Sequence, residues 1–195
     1  MLNDNLEQQL EIIYEHMMSQ AMKDNISGRF TYASNLSEVV TGKEDANFSV
    51  PNGKFSFFTC SINPLKCNEY RWDTSAVIIA GNGDFNVKHY TGKFNAYQRT
   101  YVLTPPSEYY GLLYMASLYR INSFKSSSAG SIVKFITKGD VENIPVFIPD
   151  NTQYLEQMNR LILLKEKNNL ENEELISLRD WLLPMLMNGQ ATIED

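Results

Sequence analysis

Val146-Phe147-Ile148-Pro149-Asp150-Asn151-Thr152-Gln153-Tyr154-Leu155-Glu156-Gln157-Met158-Asn159-Arg160-Leu161-Ile162 changes texture at its proline. The run before Pro149 is short, apolar and β-branched, the pattern of a strand. After it, Leu155, Met158 and Ile162 recur at spacings of three and four, the pattern of a helix with one apolar face. Pro149-Asp150 ends the strand and caps the helix on this reading. Further on, Leu175, Leu178 and Leu182 continue the helical stripe until Pro184 and Gly189, where it kinks or stops. Asn168, Asn169 and Asn172 interrupt the middle. Either two helices meet there, or one long helix carries polar positions that fix its register against a partner.

The other end of the chain mirrors this pattern. Leu6, Leu10, Ile13 and Met17 lie on one helical stripe, with Asn3 or Asp4 available as a cap and polar turn residues from Asn25 to Gly28 ending it. Between the helices, from about Phe30 to Asp150, short β-branched and aromatic runs alternate with Gly, Asn, Pro and Ser. Lys54 to Cys60, Ala76 to Ala80, Tyr97 to Leu103 and Val146 to Ile148 read as strands, with turns at Asn52-Gly53 and Gly81-Asn82-Gly83. Ser107 to Phe124 carries Tyr110, Leu113, Tyr114, Ser117, Leu118 and Ile121 at helical spacing. The predicted class is α+β: a strand-rich domain over 25–150 with an internal helix, flanked by a helix over 1–24 and a long helical, coiled-coil-like region over 151–195.

Composition narrows the function. The 195 residues are 43% hydrophobic, enough for a core without disulfides. Cys60 and Cys67 lack Cys-x-x-Cys spacing and a nearby His, which argues against zinc and for free thiols in a reducing cytoplasm. No apolar run approaches the length that crosses a bilayer, and the acidic opening segment is unlike a signal peptide. The net charge of -6 counts against nucleic-acid binding. Its distribution does not: Gly81 to Asp140 holds Lys88, Lys93, Arg99, Arg120, Lys125, Lys134 and Lys138 against Asp84, Glu108 and Asp140. An acidic handle on a mildly basic reader produces this balance.

Catalytic signatures are weak. Thr104-Pro105-Pro106-Ser107 departs at both ends from the Asn/Asp-Pro-Pro-aromatic motif of adenine methyltransferases and reads as a loop. Pro149-Asp150 lacks the Glu-x-Lys that a metal-dependent nuclease needs. His16 reads as a surface residue of a helix, and His89, in the glycine-flanked stretch Asn86 to Lys93, as part of a solvated loop. Gly81-Asn82-Gly83 is a turn without the rest of a phosphate loop. Lys125-Ser126-Ser127-Ser128-Ala129-Gly130-Ser131 is either a plain loop or a phosphate contact, and Thr41-Gly42-Lys43 is open in the same way.

Read in order, these pieces resemble the specificity subunit of type I restriction-modification systems. Leu36-Ser37-Glu38-Val39-Val40-Thr41-Gly42-Lys43 is similar to the opening strand and Gly-Lys turn of its target recognition domain, Asn52 to Thr59 to the next strand, and Ala76 to Gly81 to the strand before a glycine turn. Ala129 to Pro149 resembles the Gly-Ser turn, short helix and closing strand, and Leu178-Arg179-Asp180-Trp181-Leu182-Leu183-Pro184-Met185-Leu186-Met187-Asn188-Gly189-Gln190 the end of the conserved helical region. Leu6 to Tyr14 resembles the end of the helix that precedes a second recognition domain. Each motif is loose; their order is specific.

The resemblance implies a non-catalytic DNA reader with one recognition domain, a half-subunit. Methyltransferase and restriction subunits would be its partners and would use S-adenosylmethionine, ATP and magnesium. Two copies could pair their helices antiparallel as a homodimer and read inverted half-sites of double-stranded DNA. The helical stripe of Leu6, Leu10, Ile13, Met17, Leu155, Met158, Ile162, Leu175, Leu178 and Leu182 would make the partner contacts. Candidate DNA contacts are Lys43, Asn86, Lys88, His89, Lys93, Arg99, Lys125, Ser126, Ser127, Ser128 and Lys134. The competing reading is a coiled-coil interaction scaffold that does not read DNA.

Overall fold

The computed structural model describes residues 2–127 and 135–188. It opens with helix α1 (Leu2–Met22) and closes with helix α5 (Gln153–Met187), 35 residues without a break. Asn168, Asn169 and Asn172 therefore sit inside one helix. Asn3 bridges α1 to the first two: its amide donates to Asn169 Oδ1 at 2.6 Å and its carbonyl oxygen accepts from Asn168 at 3.1 Å. The helices run antiparallel, since Glu7 meets Lys165 and His16 meets Tyr154 further along. Asp150 does not cap α5: the N-cap residue is Thr152, and Asn151 just before it accepts from the Gln153 amide through Oδ1 at 3.0 Å.

The antiparallel arrangement is enforced at the neck of the domain. Strand β1 (Gly28–Tyr32), which follows α1, pairs antiparallel with β8 (Pro145–Pro149), which precedes α5. The register runs from Gly28 opposite Pro149 to Tyr32 opposite Pro145. Both prolines fall at strand ends, where a missing N–H costs the ladder little. Because chain entry and exit are clamped side by side, α1 and α5 must leave the domain together. Leu6, Leu10, Tyr14 and Met17 of α1 and Leu155, Met158 and Ile162 of α5 are then buried against each other and α3 (Tyr110–Ser127). Each such side chain contributes about 1.5–3 kcal/mol relative to exposure.

Between the neck strands lies a six-stranded sheet in the order β2 (Val39–Thr41), β7 (Thr100–Leu103), β5 (Trp72–Ala80), β6 (Val87–Ala96), β3 (Phe55–Phe58), β4 (Leu65–Cys67). Every pairing is antiparallel except β3 with β6. The run Ala76 to Ala80 is buried on both faces. Strand alternation sends Val77 and Ile79 into the main core beneath α3. Ala76 and Ile78 face a smaller cluster with Phe58, Phe94, Ala96 and Val102. Short helices α2 (Ala33–Leu36) and α4 (Lys138–Glu142) flank the sheet, and Thr137 with Asp140 forms a capping box at the latter.

The reading of 86–93 as a solvated loop is corrected: these residues are mostly β6, paired with β5 from Val87 opposite Ile79 to Phe94 opposite Trp72. Its polar side chains carry no apolar alternation, so the strand is specified by its neighbour, not by propensity. Gly92 takes φ 131°, a conformation that side chains disfavour and that lets the strand bend.

Candidate nucleic-acid interface

Four of the proposed contacts come together around one turn. Residues 97–99 join β6 to β7, and two glycine turns press onto them. Gly42 donates its amide to Thr100 O at 3.0 Å, and Gly81 donates to Arg99 O at 2.9 Å. A Cβ on Gly42 would lie 2.1 Å from Ala96 O, and one on Gly81 2.6 Å from Arg99 O. Only glycine permits either approach. Next to Gly42, Lys43 is exposed, and Glu44 O accepts from the Gln98 amide at 2.9 Å, which fixes the turn beside Arg99.

The same place receives β6. Asn86 donates to Cys60 O at 2.8 Å, Lys88 Nζ donates to Thr59 O at 3.2 Å and also to Asn86 Oδ1, and Cys60 Sγ lies 3.5 Å from Arg99 O. Asn86 and Lys88 thus hold the Thr59-Cys60 backbone beside Arg99, while Lys43 approaches the same 97–99 turn from the Gly42 side. Burial lowers the Lys88 pKa to about 8, outweighing the charge interaction with the Cys60 sulfur. A phosphate placed on it would restore its preference for the ammonium form. The chain also returns here at Phe135, 63% exposed, which bridges Asn82, while Ile136 donates to Gly81 O at 2.8 Å.

Two proposed contacts lie elsewhere. Lys93 is exposed, with its ammonium 4.7 Å from the Tyr70 ring centroid. His89 points away from solvent into the junction with α5: its Nδ1 donates to Glu166 Oε1 at 3.0 Å, and the two side chains are 6% and 11% exposed. Its assignment as a solvated loop residue is corrected, because His89 packs edge-on to Tyr114 at 4.8 Å. The side chains of Lys125, Ser126 and Ser127, and Ser128 and Lys134 entirely, lie outside the described residues.

Sequence reading missed Arg71. Its guanidinium donates to Thr41 O at 3.2 Å and sits 4.6 Å from the Trp72 ring centroid, which supports the turn carrying Lys43. The adjacent Arg71-Trp72 pair was the available signal, since Arg stacks readily on Trp.

The helical stripe divides in two. Leu6, Leu10, Met17, Leu155, Met158 and Ile162 are buried within the chain itself, with Ile13 packed against them. Leu175 and Leu178 are 62% and 49% exposed, and Leu182 is half-buried. Together with Leu170, Ile176, Trp181 and Leu183 they leave the distal part of α5 apolar and open. Among the described residues, no group of three or more His, Cys, Asp or Glu side chains is placed to hold a metal ion, and no helix is long and apolar enough to cross a membrane.

This fold, a strand-rich domain with a helix on either side, matches that of a type I restriction-modification S subunit. The crystal structure of the S subunit from M. genitalium superposes with a TM-score of 0.63 at 18% identity, covering 93% of this chain and 55% of that one. In sequence, the chain is 37% identical over 166 residues to the type I restriction enzyme EcoDI specificity subunit of Escherichia coli. That match covers 82% of this chain and 37% of the relative, so the chain spans little more than a third of the relative's length. No family model matches. The resemblance carried by the ordered motifs is borne out, and so is the α+β class with its two flanking helices.

Proposed function

We propose that the chain is a non-catalytic DNA reader of a type I restriction-modification complex, and that its strand-rich domain recognises one half of a bipartite duplex target. The observation that carries this is the 37% identity to a specificity subunit across 82% of the chain. The β6–β7 turn gives the reading a physical basis. Lys43, Lys88 and Arg99 supply phosphate and base-edge donors, Asn86 supplies an amide, and two close-packed glycine turns hold them in place.

Methyl transfer and cleavage reside in partner subunits, which use S-adenosylmethionine, ATP and magnesium. The open distal face of α5 carries the contact with them or with a second copy, and a two-fold pair would present two inverted readers. The test is selection from a random duplex library by the chain co-expressed with a type I methyltransferase subunit with which it assembles, at physiological salt. A gapped motif supports the reading; inverted halves identify a homodimer and unlike halves a second reader. An intact complex that enriches no sequence contradicts it and favours a scaffold.

A further inference from the structure

The apolar stripe of α5 ends abruptly. Leu155, Met158 and Ile162 are buried, yet the next positions on the same side are Lys165, Glu166 and Asn169. Each is met by a polar partner. Lys165 pairs with Glu7 of α1, whose other oxygen accepts from Tyr114 at 2.7 Å, and Asn169 bonds to Asn3. Glu166 differs because its partners come from the recognition domain. Oε1 accepts from Tyr110 of α3 at 2.5 Å and from His89 of β6 at 3.0 Å.

Glu166 is therefore the point at which three elements meet as α5 leaves the core. Beyond it, the helix and sheet are separated by a cleft of about 610 Å³ between Phe58 and Tyr90 on one side and Leu170 and Ile176 on the other. The contact across the cleft's far end is loose: Lys66 and Glu173 are 4.0 Å apart and 44% and 65% exposed. A surface pair of that kind holds little. An apolar side chain at 166 would pack in many registers, whereas a carboxylate with two directed donors permits one.

The lever is long. From Glu166 to Met187, α5 extends about 32 Å at 1.5 Å per residue. A tilt of about 6° at Glu166 moves its tip by about 3.4 Å, the rise of one DNA base pair. We propose that Glu166 is a positioning residue: through His89 and Tyr110 it fixes the angle between recognition domain and long helix, and so sets the unread spacer length that the assembled protein accepts. This inference rests on the bipartite-site reading, but its mechanical part stands apart from it.

Two measurements separate them. Spin labels at Lys54→Cys and Glu174→Cys, both exposed, in a Cys60→Ser background report the domain-to-helix distance by pulsed dipolar spectroscopy in the full chain. A narrow distribution is expected, broadening in Glu166→Ala, partly broadening in Tyr110→Phe, and narrow again in the conservative Glu166→Gln. Library selection with the same variants is expected to leave half-site bases unchanged while Glu166→Ala loses about tenfold in preference for the optimal spacer over spacers one base pair longer or shorter. Circular dichroism identifies a variant that has unfolded; Tyr110→Phe, which deletes one oxygen, then carries the test.

An unchanged distance distribution in folded Glu166→Ala and Tyr110→Phe overturns the positioning role. Altered distances with an unchanged spacer preference overturn the link to spacing. A wild-type complex that selects no gapped motif refutes the functional reading and with it the spacing link, while the distance measurement still decides the latch.

Discussion

Replacing Gly42 with alanine should disable the candidate interface by displacing one turn. The new Cβ would lie 2.1 Å from Ala96 O and 2.3 Å from Tyr97 O, both backbone atoms that no side-chain rotation can relieve. Carbon and carbonyl oxygen normally stay about 3.3 Å apart, so the Thr41-Gly42-Lys43 turn must move outward by about 1 Å. Overpacking of this kind costs about 1–3 kcal/mol. Loss of the Gly42-to-Thr100 backbone hydrogen bond, 3.0 Å long, adds about 0.5–1.5 kcal/mol. The expected destabilisation is about 2–4 kcal/mol. In urea, with a slope of about 2 kcal/mol/M, the midpoint should fall by about 1–2 M.

Trp72, stacked on Phe94 with centroids 5.3 Å apart, reports the transition by fluorescence. Gly139→Ala is the matched control. Its Cβ would meet nothing nearer than Thr137 Oγ1 at 3.8 Å, inside helix α4, so it should stabilise by about 0.5–1 kcal/mol. A Gly42→Ala protein within 0.5 kcal/mol of wild type would refute the close-packed-turn argument, on the scale at which surface substitutions usually fall.

Other consequences follow from charge and from the long helix. Lys88→Met should weaken DNA binding and reduce the salt slope by about 1, measured by titration at several salt concentrations. With its pKa near 8, wild-type Lys88 should make DNA affinity fall as pH rises through that value, a decline that Lys88→Met removes. Its burial also makes the unfolded chain hold the proton longer, so stability should rise with pH between about 8 and the ordinary 10.5, a rise absent in Lys88→Met by urea titration. Burial raises the pKa of Glu166, yet the hydrogen bonds from His89 and Tyr110, with smaller polar contributions beside them, outweigh it and hold the carboxyl below its ordinary 4.5. Its stabilising contribution is therefore present above 4.5 and lost as pH falls through the lower folded value. Glu166→Gln should decline less steeply there in acid denaturation. Deletion from Glu173 onward should abolish assembly by native mass while preserving the domain's circular dichroism; unchanged assembly would contradict a docking role for distal α5.

The elements legible from sequence are those whose own periodicity exceeds their surroundings. Leu155-Met158-Ile162 and Leu6-Leu10-Met17 announced helices because each stripe is buried along one face. Ala76 to Ala80 announced a strand because both of its faces meet a core. Strand β6 was illegible: Lys88, His89, Tyr90 and Thr91 gain strand geometry from pairing with Ile78, Val77, Ala76 and Ser75 of β5, earlier in the chain. The same gap hid Glu166, an ordinary helix-surface residue in sequence, whose partners lie 56 and 77 positions away. Arg71 was hidden for a similar reason, since its hydrogen bond to Thr41 spans 30 residues. Lys43, Asn86, Lys88 and Arg99 were legible as polar loop candidates, but their convergence depends on two glycine turns whose packing no local pattern reveals.

Two double variants of equal charge, compared in the assembled complex, locate the DNA-reading surface. Lys43→Ala/Arg99→Ala removes two cations at the β6–β7 turn, and Lys23→Ala/Arg160→Ala removes two exposed cations from the helical side. The readout is the ratio of affinities for the selected target and a scrambled duplex at fixed physiological salt. Specific readers hold that ratio at about 10³ or more. The first variant is expected to lose at least about tenfold in the ratio and the second to keep it. Equal losses, or none in the first, would contradict the placement of the reader at this turn.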